Sequence, residues 1–146
     1  MLQLRCKNNK KTLNVNVGST LSDIFSISGI KMDFGPICAK VNNKVTGMYY
    51  RLYHDKDIEF MDMRTGSGSR TYTRTLFFIC CKAIHDLYPN AKVRIDIPVS
   101  KGYFVNMQMD STITDEVTSR IRQRMQEIID ANIPIKRHTV PTEEAI

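Results

Sequence analysis

Apolar and polar residues alternate in two runs near the start of the chain. The first is Leu2, Leu4 and Cys6; the second is Leu13, Val15 and Val17. A period of two puts every apolar side chain on one face of a strand, and "KNNKK" between the runs is a cluster of turn formers, so the pattern predicts a hairpin. The period changes at "GSTLSDIFSISG". Leu21, Ile24 and Phe25 share one face of a helix, Thr20 with Asp23 three residues on has the spacing of a capping box, and Gly29 is a natural stop. The runs "ICAKV" and "IEFMDM" then read as strands, with a tight turn at Asn42-Asn43 and "HDKD" setting the last strand apart. Two strands, a helix and two or more strands make an α+β unit over residues 1–63.

Residues 64–70, "RTGSGSR", are rich in Gly and Ser and read as a linker. They are not a phosphate loop, because no G-x-x-x-x-G-K-[ST] is present. Residues 71–146 form the second expected unit. Leu76, Phe77, Cys80, Ala83, Ile84 and Leu87 recur at helical spacing until "YPN" stops them. Val93, Ile95 and Ile97 alternate with polar residues as a half-buried strand, "PVSKG" turns the chain, and "YFVNM" pairs back. From Thr114 a long helix carries the stripe Val117, Ile121, Met125, Ile128 and Ile129, and Asn132 with Pro134 ends it.

Composition narrows the classes. A hydrophobic content of 42% excludes a disordered chain. No apolar run nears the roughly 20 residues that span a bilayer, and the N-terminus has no apolar signal-peptide core, so the expectation is a cytoplasmic protein without a membrane partner. Cys6, Cys38, Cys80 and Cys81 lack C-x-x-C spacing and read as buried thiols, so no metal is expected. The net charge is +6, and cut at Asp62 it divides evenly, nine basic and six acidic residues before the cut and twelve and nine after it. Such a charge permits a nucleic-acid partner without requiring one.

Two longer stretches carry a family resemblance. "GSTLSDIF" and "AKVNNKVTGMYYRLYHDKDIEFMD" resemble a TGS domain, a ubiquitin-like β-grasp module, with Val41-Asn42-Asn43-Lys44 at its hairpin and Asp57-Ile58-Glu59 at its last strand. Asn43 stands where that family usually has glycine, and Asn tolerates positive φ. "LYPNAKVRIDIPVSKGYFVNM" and "RMQEIIDANIPIKRHTVPTEEA" resemble the editing domain that follows TGS in threonyl-tRNA synthetase. The resemblance implies an α+β fold throughout, a β-grasp unit followed by an editing-like domain truncated at its C-terminus.

The same resemblance bears on chemistry. The synthetase family carries H-x-x-x-H on the helix before "YP", and a gap-free match puts those histidines at Arg74 and Phe78. An arginine stays protonated and a phenyl ring has no lone pair, so neither can activate water or bind metal. The family's acid after "yy" is Asn106 here. No catalytic residue and no cofactor is therefore expected. A cationic replacement suits anion binding instead, and the candidate ligand or phosphate cleft comprises Arg74, Lys101, Asn106, Arg137 and His138.

A TGS unit joined to a histidine-free domain of this kind also resembles the N-terminal region of uridine (nucleoside) kinases. That implies a non-catalytic regulatory region, with a downstream kinase domain of the same chain as partner and with ATP and Mg confined to that domain. The alternative implied by the synthetase resemblance is a tRNA-binding or vestigial aminoacyl-tRNA editing module. A tRNA or a nucleotide-like ligand is the corresponding partner.

Overall fold

The computed structural model describes residues 1–136 and 138–144, apart from the side chain of Ile97. The fold is α+β and divides into two compact units, Met1–Leu76 and Phe77–Ile146. The first unit contains β1 (Leu2–Cys6), β2 (Lys11–Val15), α1 (Leu21–Ser28), β3 (Cys38–Val41), β4 (Lys44–Gly47), β5 (Lys56–Met61) and the start of α2 (Gly66–Leu87). Its strands form one mixed sheet in the order β2-β1-β5-β3-β4. The two hairpins are antiparallel, whereas β1 and β5 lie parallel with Leu4 opposite Lys56 and Cys6 opposite Ile58.

The alternation read from the sequence becomes one buried face. Leu2, Leu4, Cys6, Val15, Ala39, Val41, Ile58 and Phe60 pack with Leu21 and Ile24 of α1, and Phe25 meets Phe60 edge to face at 5.1 Å. Asn8 extends the central pairing beyond β1. Its side-chain amide donates to the Phe60 carbonyl at 2.9 Å, and its side-chain oxygen accepts from the Phe60 amide at 2.8 Å. Thr20 and Asp23 form the expected reciprocal cap of α1, and Gly29 ends that helix at φ 69°. Asn42 and Asn43 both take positive φ in the β3–β4 turn. Val17 differs from its expected place: β2 stops at Val15, and Val17 is exposed where the chain turns through Gly18 toward the helix cap.

Residues 66–70 are not a linker but the first turns of α2. Thr65 starts the helix, its hydroxyl accepting from the Gly68 amide at 3.0 Å and its carbonyl from Ser69 at 2.8 Å. The glycines that suggest flexibility answer here to crowding. A Cβ on Gly68 would collide with the carbonyl of Asp62 and lie 2.9 Å from the Thr65 hydroxyl. The unit boundary accordingly falls inside the helix, between Leu76 and Phe77, rather than at 64–70.

Asp62 is only 4% exposed. Its carboxylate accepts from the Arg64 guanidinium at 2.6 Å and from the Arg64 amide at 3.0 Å, and Arg64 also reaches Asp33. These contacts with Arg64 hold the Asp62 carboxyl below its ordinary range, as Arg5 does for Asp57, and Arg124 with Lys82 for Asp86. A carboxyl depressed in the folded state stabilises fully above the unfolded pKa of about 3.9, and that stability is lost as pH falls through the lower folded value. Circular dichroism should therefore show the fold intact down to about pH 4 and lost progressively below it. Asp62→Asn should narrow the difference in stability between neutral and acid solution.

The second unit contains the remainder of α2, the hairpin β6 (Lys92–Val99) and β7 (Gly102–Gln108), and α3 (Asp115–Asp130). Ala83, Ile84, Ile121 and Ile128 are its buried core, with Cys80, Leu87, Val93, Met107, Val117 and Met125 packed around them. Asp86 of α2 receives Arg124 of α3 at 2.8 Å and Lys82 at 3.1 Å. Ile129 belongs by its sequence spacing to the apolar stripe of α3. It is exposed, because the adjacent Ile128 takes the inward position one hundred degrees round the helix.

Candidate functional site

The residues at the two diagnostic helix positions are both on the surface. Arg74 is exposed, and among the described residues no carboxylate lies within ion-pair distance of it. Arg70, one turn earlier, shares its face and is also exposed. The hydroxyls beside them are turned back onto the helix: Thr71 donates to the Ser67 carbonyl and Thr75 to the Thr71 carbonyl. Phe78 is 57% exposed rather than packed. The aromatic contact belongs to its neighbour Phe77, whose ring meets Tyr103 edge to face at 4.7 Å.

The other expected cleft residues are distributed. Lys101 occupies the exposed turn between β6 and β7, next to Ser100 at φ 55°. Asn106 lies within β7, opposite Arg94, and helps line a shallow cavity of about 310 Å³ with Lys92, Val93, Arg94 and Gln108. Asn106 lies five steps of extended chain, at about 3.3 Å each, beyond Lys101, and Lys101 does not line that cavity. Arg74 belongs to the first unit and these two to the second. His138 is exposed after α3, and Arg137 lies outside the described residues. Lys92 and Arg94, which do accompany Asn106, were legible only as the polar half of an alternating strand; Arg94 is paired with Asp96 at 2.6 Å.

Among the described residues, no three His, Cys, Asp or Glu side chains converge. Cys80 is half-buried, and burial first, then neighbouring Cys81, pushes its thiol up, away from the thiolate that nucleophilic chemistry requires. No described helix is long and apolar enough to cross a membrane.

The observed boundary redraws the charge distribution. Residues 1–76 hold twelve Lys and Arg against six Asp and Glu, and residues 77–146 hold nine of each. The whole excess of +6 thus belongs to the first unit, and the second is neutral.

No protein-family profile matches the chain. Curated proteins do. The threonine–tRNA ligase of Clostridium kluyveri is 29% identical over 146 residues, 100% of this chain and 23% of the relative. That of Clostridium tetani is 28% identical over 136 residues, covering 93% and 21%. That of Fusobacterium nucleatum is 30% identical over 108 residues, covering 74% and 17%. These relatives are ligases, and nothing in them supports the nucleoside-kinase expectation. The chain spans less than a quarter of the length of these curated relatives, and along its whole length it is homologous to the N-terminal region of threonyl-tRNA synthetase.

Proposed function

We propose that this chain is a non-catalytic, tRNA-related binding module. Its first unit is a TGS-type β-grasp domain, and its second descends from an aminoacyl-tRNA editing domain without retaining the editing chemistry. The carrying observation is collinear similarity to threonine–tRNA ligases across both units. A mixed sheet with β1 parallel to β5 and α1 packed on one face supports the first assignment. The hairpin after α2, with Asn106 where the resemblance expects a carboxylate, supports the second. Arg74 and Phe78 supply neither a base nor a metal ligand, and no cofactor is assigned. A nucleoside-kinase parent draws no support from the relatives.

Binding of labelled tRNA by the purified chain tests the module reading. Affinity should fall steeply with salt, as displacement of counterions by lysine and arginine requires. Equal affinity for tRNA and for a free nucleotide or nucleoside such as ATP or uridine would overturn it.

Restoring histidines tests the loss of chemistry. The double variant Arg74→His and Phe78→His should release no threonine or serine from charged tRNA above the buffer rate. A water-activating site needs oxyanion donors as well as a base, within about half an ångström of productive geometry. Because both side chains are exposed, the variant should fold normally, so failed chemistry cannot be blamed on unfolding. Turnover by either protein would mark a working hydrolase.

A further inference from the structure

The segment "MYYRLYH" between β4 and β5 places three large rings on the surface of the first unit. Tyr49 is 79% exposed, Tyr50 47% and Tyr53 57%. A loop bearing such rings usually moves, but this one is pinned along its backbone. The Gly18 amide donates to the Leu52 carbonyl at 2.7 Å, Leu52 returns to Ser19 at 3.0 Å, Leu21 donates to Tyr50 at 3.1 Å, and Ser22 to Met48 at 3.0 Å. Leu52 is buried in the sheet–helix core and anchors the middle. The tyrosines therefore stand on a rigid ledge alongside the N-terminus of α1, with the Tyr53 ring beside Gly18.

Arg51 lies between the rings in sequence. One guanidinium nitrogen donates to the Gly18 carbonyl at 2.8 Å, and among the described residues no carboxylate pairs with it. Asp23 feels the charge of Arg51 without pairing with it, and its carboxylate is committed to the Thr20 cap. Exposed aromatic faces, an arginine with free donors and a unit carrying all of the chain's net positive charge suit one ligand chemistry: unpaired bases on a polyanionic backbone. Tyrosine and arginine are enriched at protein interfaces too, so it is the net charge of +6 on this unit that favours a polyanion over a protein.

Resting on the RNA-related reading above, we propose that the Tyr49–Tyr53 ledge binds single-stranded RNA. Bases stack on the tyrosine rings, and Arg51 attracts the phosphates. Paired bases are already stacked within a duplex, so the ledge favours unpaired nucleotides.

The test is fluorescence anisotropy with a labelled oligoadenylate of about a dozen nucleotides, a length within typical single-strand site sizes. The full chain should bind it more tightly than a duplex of equal length. Tyr49→Ser, Tyr50→Ser and Tyr53→Ser together should weaken binding at least tenfold, whereas the triple Tyr→Phe variant, which keeps the rings, should bind as wild type does. Tyr49→Ser alone, at the most exposed ring, should cost about fivefold and leaves the fold intact. Wild-type binding unaffected by the serine variants would overturn the ledge and leave the RNA reading standing. Equal losses in the serine and phenylalanine variants would overturn stacking. No binding of oligoadenylate by the wild type would overturn the ledge; the module reading would stand if labelled tRNA still bound and fall with it if tRNA did not.

Discussion

Gly68→Ala should unfold much of the first unit or destabilise it by about 3 kcal/mol or more, as overpacking against a backbone that cannot yield does. The expected sign is opposite to the rule for helices, in which alanine is better than glycine by about 1 kcal/mol. A Cβ at this position would collide with the Asp62 carbonyl and sit 2.7 Å from its carbon. Asp62 cannot withdraw cheaply, because it is buried and held by Arg64. Gly66→Ala supplies the control. Its nearest neighbour would be the flexible end of Arg70 at 3.7 Å, so that variant should be neutral or slightly stabilising. Urea titration of the two proteins reads the contrast directly. Comparable stability would mean that the first turn of α2 has room it does not show.

Removing one buried side chain from each unit should separate their stabilities. Ile84→Ala takes a nearly inaccessible residue from the second unit, and Phe60→Ala does so in the first. Losses of about 2–5 kcal/mol are expected for such truncations, comparable to the whole stability of a small domain. Ile84→Ala should therefore melt the second unit at a temperature where the sheet of the first persists. Phe60→Ala, which also deletes the edge-to-face partner of Phe25, should reverse the order. A single transition shifted equally by both substitutions would show that the chain unfolds as one cooperative body. Far-ultraviolet circular dichroism distinguishes the cases, since loss of α3 removes helix and loss of β1–β5 removes strand.

Much of this architecture was legible because it is local. Burial of Leu2, Leu4 and Cys6 follows from alternation, and the Thr20–Asp23 cap follows from spacing. The errors came where a distant contact overrides a local signal. Gly66 and Gly68 read as flexibility, but Gly68 is small because Asp62 stands against it. Ile129 continues an apolar run, yet only Ile128 reaches the core. The candidate site is less legible than the fold: Arg74, Lys101 and Asn106 are grouped only through a resemblance, and they fall on a helix, a turn and a strand. The tyrosine ledge is not legible as a pattern, because exposure and backbone pinning have no period. Its only sequence signal is the density of rings in "MYYRLYH".

The parallel pairing of β1 with β5 also dictates an order of events during synthesis. Gln3 bonds to Asp55, Arg5 to Asp57 and Asn8 to Phe60, each across 52 residues of chain. The first strand made is thus an inner strand of the sheet, and one of its two partners is the last strand of that sheet to be made. At translation rates of about 5–20 residues per second, the β1–β2 hairpin waits roughly three to ten seconds with its inner edge unsatisfied. Closing so long a loop is entropically costly and slow compared with forming a hairpin. Until Ile58 and Phe60 of β5 arrive, Leu2, Leu4 and Cys6 have only an incomplete core to enter, and the nascent hairpin stands to gain from a chaperone.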